Sequence, residues 1–261
     1  MTRFVLPVLA LSLAASPALA ADRHLSADAG QLSIESPCAA KVTISPDASL
    51  NNRVEVDASA QNQQEVDQLE LTSGHNAKLR ITHRRCWEPD DNEAFEPTLA
   101  LTIRVPNGMP LGVEESGSVT YRIGPVAGDL SLDLSGHADI QAERVKNLNT
   151  DMSGSGQLGV NEVTGNMNVE ESGSAKLSIA KATSSDLNLE LSGSGSVQVG
   201  SGSISRLKME VSGSAPVEIG ATVGDAMIDV SGSGDISVAK VTGNVMKSIS
   251  GSGDVRIGGK G

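Results

Sequence analysis

From residue 112 onward, apolar and polar positions alternate in short runs that return with one period. Aligned on a recurring Ser-Gly pair, the residue before the serine is Leu134, Met152, Leu191, Val211, Val230 or Ile249, with Glu115 and Glu171 as exceptions. Two residues earlier stand Val113, Leu132, Val169, Leu189, Met209 and Ile228. Five and seven residues after the serine come Tyr121/Ile123, Ile140/Ala142, Leu158/Val160, Leu177/Ile179, Val197/Val199, Val217/Ile219, Ile236/Val238 and Val255/Ile257. A period of two predicts strands with one buried face. A weaker third segment, at Val126, Val145, Val163 and Val241, runs into turns such as Thr164-Gly165-Asn166 and Thr242-Gly243-Asn244.

The Ser-Gly pairs begin at Ser116, Ser135, Ser153, Ser172, Ser192, Ser212, Ser231 and Ser250, at intervals of 19, 18, 19, 20, 20, 19 and 19 residues. A unit this short buries no core alone, so the copies must stack. The fold expected is all-β: a single-chain parallel β-helix, or β-solenoid, with about 19 residues per coil, right-handed by the usual crossover rule. Hairpins of an antiparallel barrel or sandwich have no need of the same residue type at the same phase. Eight coils at strand spacing make a rod of roughly 38 Å. Glycine at the corner permits positive φ or close approach of a neighbour. Serine there is read as a hydrogen-bonding ladder. A nucleophile is disfavoured, because no GxSxG elbow exists and His137, alone in the repeats, has no evident acid–base partner.

Residues 1–20 carry Arg3, an apolar run and Ala18-Leu19-Ala20, the pattern of a cleaved export signal. The mature chain is expected to contain no transmembrane segment. Residues 21–111 are less regular, with candidate strands at 31–35, 41–44, 53–57, 69–72, 78–83 and 99–105, and are read as atypical coils or a cap continuous with the regular solenoid of 112–261. The stretch 84–97 holds Glu88, Asp90, Asp91, Glu93 and Glu96, the last four of them between Pro89 and Pro97. It reads as a solvated acidic loop, since the DxDxDG calcium spacing is missing. Cys38 and Cys86, the only cysteines, are expected to form a disulfide in an exported chain. With no CxxC, and only His83 near Cys86, a metal or redox site is disfavoured.

The net charge of −12 argues against nucleic acid as a partner. One Trp, one Tyr and two Phe leave no aromatic cleft for sugar stacking. No P-loop, HExxH or dinucleotide fingerprint is present, so no cofactor is expected. One outward column stands out two residues before each serine: Glu114, Asp133, Asp151, Glu170, Glu190, Glu210 and Asp229, then Ser248. On adjacent coils these carboxylates lie about 4.8 Å apart and repel. They are read either as a solubilising face or as an array for divalent cations such as calcium, or for a basic surface. The next outward column is read as Asn149, Asn168, Asn188, Lys208 and Lys247. A glycosidase needs two carboxylates at a set separation, and seven equivalent ones single out no pair.

The segment Leu99-Ala100-Leu101-Thr102-Ile103-Arg104-Val105-Pro106-Asn107-Gly108, then Glu115-Ser116-Gly117-Ser118-Val119 and the repeated Ser-Gly-Ser-Gly or Ser-Gly-Ser-Ala corners, resembles the family described as putative auto-transporter adhesin, head GIN domain. The resemblance spans about residues 24–257. It implies an exported protein of stacked β coils, and it carries no catalytic residue onto this chain. The acidic stretch 88–96 and the glutamates at core phase, Glu115 and Glu171, depart from the repeat. A membrane barrel after the last coil is not expected. The function expected is therefore a non-enzymatic envelope or surface interaction protein, periplasmic if the cell has two membranes. A cation-binding structural solenoid and a polysaccharide-active enzyme are the alternatives. The apolar pair Val255/Ile257 in the final coil predicts pairing with a second copy, unless Lys247, Arg256 and Lys260 keep that end monomeric.

Overall fold

The chain is seen in a computed structural model that describes residues 21–36, 40–81 and 98–259. The expected export signal, Cys38, Cys86, Lys260 and the acidic loop lie outside the described residues. The described chain folds into 19 strands and one short helix, joined in one continuous sheet.

The repeats form two parallel stacks. Before each corner lie β7 (Leu111–Glu115), β9 (Leu130–Leu134), β11 (Leu148–Met152) and β13 (Met167–Glu171). After the corners lie β8 (Ser118–Ile123), β10 (His137–Val145) and β12 (Gln157–Val163). In β14 (Lys176–Leu191), β15 (Ser196–Val211) and β16 (Val217–Val230) the post-corner strand runs on into the next pre-corner strand. The stack closes with β17 (Ile236–Val241), β18 (Val245–Ile249) and β19 (Val255–Ile257). Register is one coil per step: Leu132 pairs with Thr150, Thr150 with Val169, Val169 with Leu189 and Leu189 with Met209. Inward side chains are buried almost throughout, including Val126, Val145, Val163 and Val241 of the third segment.

The corners owe glycine to close approach rather than to positive φ. A Cβ on Gly154 would sit 1.9 Å from the Gly136 carbonyl oxygen of the preceding coil. The corner ladder runs mainly through backbone. The Ser172 amide donates to the Met152 carbonyl at 3.0 Å, and the Ser192 amide to that of Glu171 at 2.8 Å. Among hydroxyls, Ser174 and Ser194 meet at 3.2 Å.

The first third closes the stack in a way the sequence did not suggest. Strand β1 (Ala21–Ser36) is far longer than the predicted 31–35, and only its second half joins the solenoid, pairing parallel with β7. Strand β2 (Ala40–Pro46) pairs with β8. Beyond them, β3 (Arg53–Ala60) runs antiparallel to the first half of β1 and to β6 (Ala100–Val105). The helix α1 (Gln63–Asp67) was not expected. Its Asn62 cap accepts from the Glu65 backbone amide at 3.1 Å, and Asn62 Nδ2 donates to Glu65 Oε1 at 2.5 Å, a reciprocal pair akin to a capping box. Arg23 holds the other end by donating to the carbonyls of Val66, Asp67 and Leu69 at 2.8–2.9 Å. The last of these opens β4 (Leu69–Leu71), antiparallel to β5 (Gly74–Ile81), which lies along β1. Thus Val66 and Leu69 are sealed in the core.

The last coil departs from the repeat in two respects. Ile249, at core phase, is 40% exposed, because no described coil covers β18. Lys247 is not in the outward column: it pairs with Ile228, a buried core position, and Met246 and Met227 occupy the outward column instead. At the uncovered end the core side of β18 faces water, so a lysine is tolerated there.

The acidic face, a candidate contact surface

Three outward columns cover the pre-corner face. The acidic column is in register from Glu114 to Asp133, Asp151, Glu170, Glu190, Glu210 and Asp229, ending on Ser248. It also extends one coil further, to Glu35, which pairs with Glu114. No Ser-Gly corner follows Glu35, so the alignment gave no signal for it. Cations reach the column at two of its rungs, Glu35 and Glu210, while Asp229 beyond Glu210 has no ion pair among the described residues. Lys78 and Arg80 of β5 bind Glu35 and hold its carboxyl below the ordinary range. Lys208 reaches Glu210 at 2.8 Å, and the same carboxylate raises its ammonium pKa. Between them Glu114, Asp133, Asp151, Glu170 and Glu190 have no ion pair among the described residues. Burial, and then the charges of Asp133 and Glu170, push the Asp151 carboxyl up. Beside the column and the corner serines runs a groove of about 680 Å³, lined by Asp151, Glu170, Glu190, Glu210, Ser172 and Ser192 among others.

The middle column changes character along the axis. Gly112 and Ser131 give way to Asn149, Asn168 and Asn188, then to Lys208, Met227 and Met246. Asn168 Nδ2 donates to Asn149 Oδ1 at 3.1 Å, so amides are shared from coil to coil. In the third column Asn147 Nδ2 donates to Asp129 Oδ1 at 2.8 Å, and the Asn166 backbone N–H donates to Asn147 Oδ1 at 2.8 Å.

Among the described residues no group of three or more His, Cys, Asp or Glu side chains is placed to hold a metal ion. The carboxylates lie in a line and do not converge. His137 Nδ1 lies 3.2 Å from Ser155 Oγ on an exposed corner and has no acidic partner among the described residues. Nor is any described helix long and apolar enough to cross a membrane.

The family described as "Putative auto-transporter adhesin, head GIN domain" matches residues 32–201 and 199–261. The chain belongs to this family. Membership sets it among exported, adhesin-like β-solenoid proteins. A crystal structure of a putative adhesin from Parabacteroides merdae is similar in fold, with a TM-score of 0.59 and 10% identity over 91% of this chain and 95% of that one. A putative lipid binding protein from Parabacteroides distasonis is similar at a TM-score of 0.59 and 15% identity, over 90% of this chain and 96% of the other. A putative adhesin from Bacteroides fragilis matches at 0.50 and 12%, over 90% and 96%. At these identities the likeness is one of fold. No curated protein matches the chain.

Proposed function

We propose that this GIN-domain protein works in the cell envelope or at the cell surface as a contact module, and that its acidic face docks a partner bearing positive charge. The observation that carries this reading is the run Glu114, Asp133, Asp151, Glu170 and Glu190, in register and without an ion pair among the described residues, lying between the cation-paired rungs Glu35 and Glu210. Like charges about 4.8 Å apart cost stability, and a basic surface laid along the column relieves that cost. A divalent cation screens the same charges, but a linear array offers it no closed oxygen cage. The test is binding of the mature chain to an immobilised oligolysine peptide at low ionic strength. The triple change Asp151→Asn, Glu170→Gln and Glu190→Gln should weaken binding at least tenfold. Equal binding by both proteins would remove the face from the account. A calcium-dependent rise in melting temperature that the triple change abolishes would favour the cation reading.

Pairing of two chains through the last coil is a second reading. The outer edges of β18 and β19 have no described neighbour, and Met246 is 63% exposed beside Ile249. Against it stands Lys247 at core phase, since a buried interface there would trap its charge.

A further inference from the structure

Six of the eight repeat corners have an apolar residue immediately before the serine; two have a carboxyl. Glu115 and Glu171 are each only 2% exposed. Glu115 Oε1 accepts from the Gly117 amide at 2.6 Å, with the Ser116 amide and the Ser36 side chain also turned to the carboxyl. Its Oε2 is buried without a partner. Tyr121 of β8 is the ionisable group that faces it, and the Tyr121 hydroxyl is likewise buried and unpartnered. On the flanking strands β1 and β9, the paired residues Ser36 and Leu134 are uncharged.

At Glu171 both carboxyl oxygens are buried with no hydrogen bond of good geometry. The amides of Gly173, Ala175, Gly193 and Gly195 face the group from its own corner and the next. Its register partners on β11 and β14, Met152 and Leu191, are apolar. A Cβ on Gly193 or Gly195 would lie 2.8 or 2.7 Å from a Glu171 oxygen, so this carboxyl fills the space a side chain would take in the next coil. Neither glutamate has an ion pair among the described residues. The surrounding N–H donors favour the ionised form and offset only part of its desolvation cost, so without a counter-charge the enclosed carboxylate costs more than the neutral acid.

We propose that Glu115 and Glu171 are proton-operated latches in the stack: protonated, each carboxyl seals its corner, and ionised, it draws in water and loosens the ladder at that rung. Burial raises both carboxyls above the ordinary range, that of Glu115 to about 7. A raised folded-state pKa means the folded chain binds more protons than the unfolded chain. The stabilisation is therefore complete below the ordinary value of 4.5, is lost as pH climbs toward about 7, and is absent above it. Across that window the opening equilibrium at Glu115 should change on the order of a hundredfold. The Glu171 corner borders the groove lined by Ser172, Ser192, Glu170 and Glu190, so its state reaches the acidic face.

Two measurements on the full mature chain test this. One is the titration of the glutamate side-chain carboxyl carbons by NMR. The other is exchange of the Ser135 and Ser192 amides, which donate to the carbonyls of Glu115 and Glu171, against Ser212 and Ser231, which donate to Leu191 and Val211. The expected result is a carboxyl midpoint near neutrality for Glu115 and one clearly above 4.5 for Glu171. Protection, corrected for intrinsic rate, should fall at least tenfold at Ser135 between pH 5 and pH 8 and should fall in the same direction at Ser192, with Glu115→Gln and Glu171→Gln each removing the fall at its own corner only. Midpoints near 4.5, or equal pH dependence at all four amides in both variants, would overturn the proposal. Should a variant not fold, the wild-type carboxyl titration decides alone.

Discussion

The two ends of the solenoid solve one problem by different means. Both present the last rung of a parallel stack, with unpaired backbone groups and a section through an apolar core. At the N-terminal end the chain turns antiparallel: β3 bridges β1 and β6, β4 and β5 extend the other stack, and α1 is pinned by Arg23. At the other end nothing described covers β18 and β19, and Lys247 occupies a core-phase position. One end is sealed by added structure. The other is kept in water by a charge that no apolar partner welcomes.

That contrast is sharpest in paired truncations. Leu69, buried beneath the cap, should cost about 3 kcal/mol when changed to alanine, because the site cannot collapse around the void. Ile249→Ala, at the same kind of inward position on the open end, should cost less than about 0.5 kcal/mol. Chemical denaturation of the two variants measures both, and equal losses would break the contrast. A subtler change is Lys247→Leu. It removes the deterrent and should leave the dilute protein within about 0.5 kcal/mol of wild type, while light scattering at tens of micromolar turns from monomer to dimer. A wild-type dimer under the same conditions would instead support pairing through the last coil.

The repeat was legible because stacking forces the same residue type to the same phase, and one substitution pattern is then read eight times. Glu115 and Glu171 stood out for that reason, as acids in an apolar column, and both are buried. The closed end was not legible, because it happens once. The helix spans only Gln63–Asp67, and its signal reduces to Asn62 followed three residues later by Glu65. The first half of β1 gains its partner from β3, a long-range pairing with no periodic trace. Lys247 was misplaced because polarity normally marks the outward side, and on an uncovered rung that rule lapses. The acidic column was found, but Glu35 was missed where the corner lacks glycine.

The most direct test of this asymmetry is hydrogen exchange followed by mass spectrometry on the mature chain. Protection should be high and even from β1 and β3 through β9, β11 and β13, then decline through β17 to its lowest at β18 and β19. Protection of β18 and β19 equal to that of β11 would contradict the account, since it would mean that the outer edges of these two strands are covered.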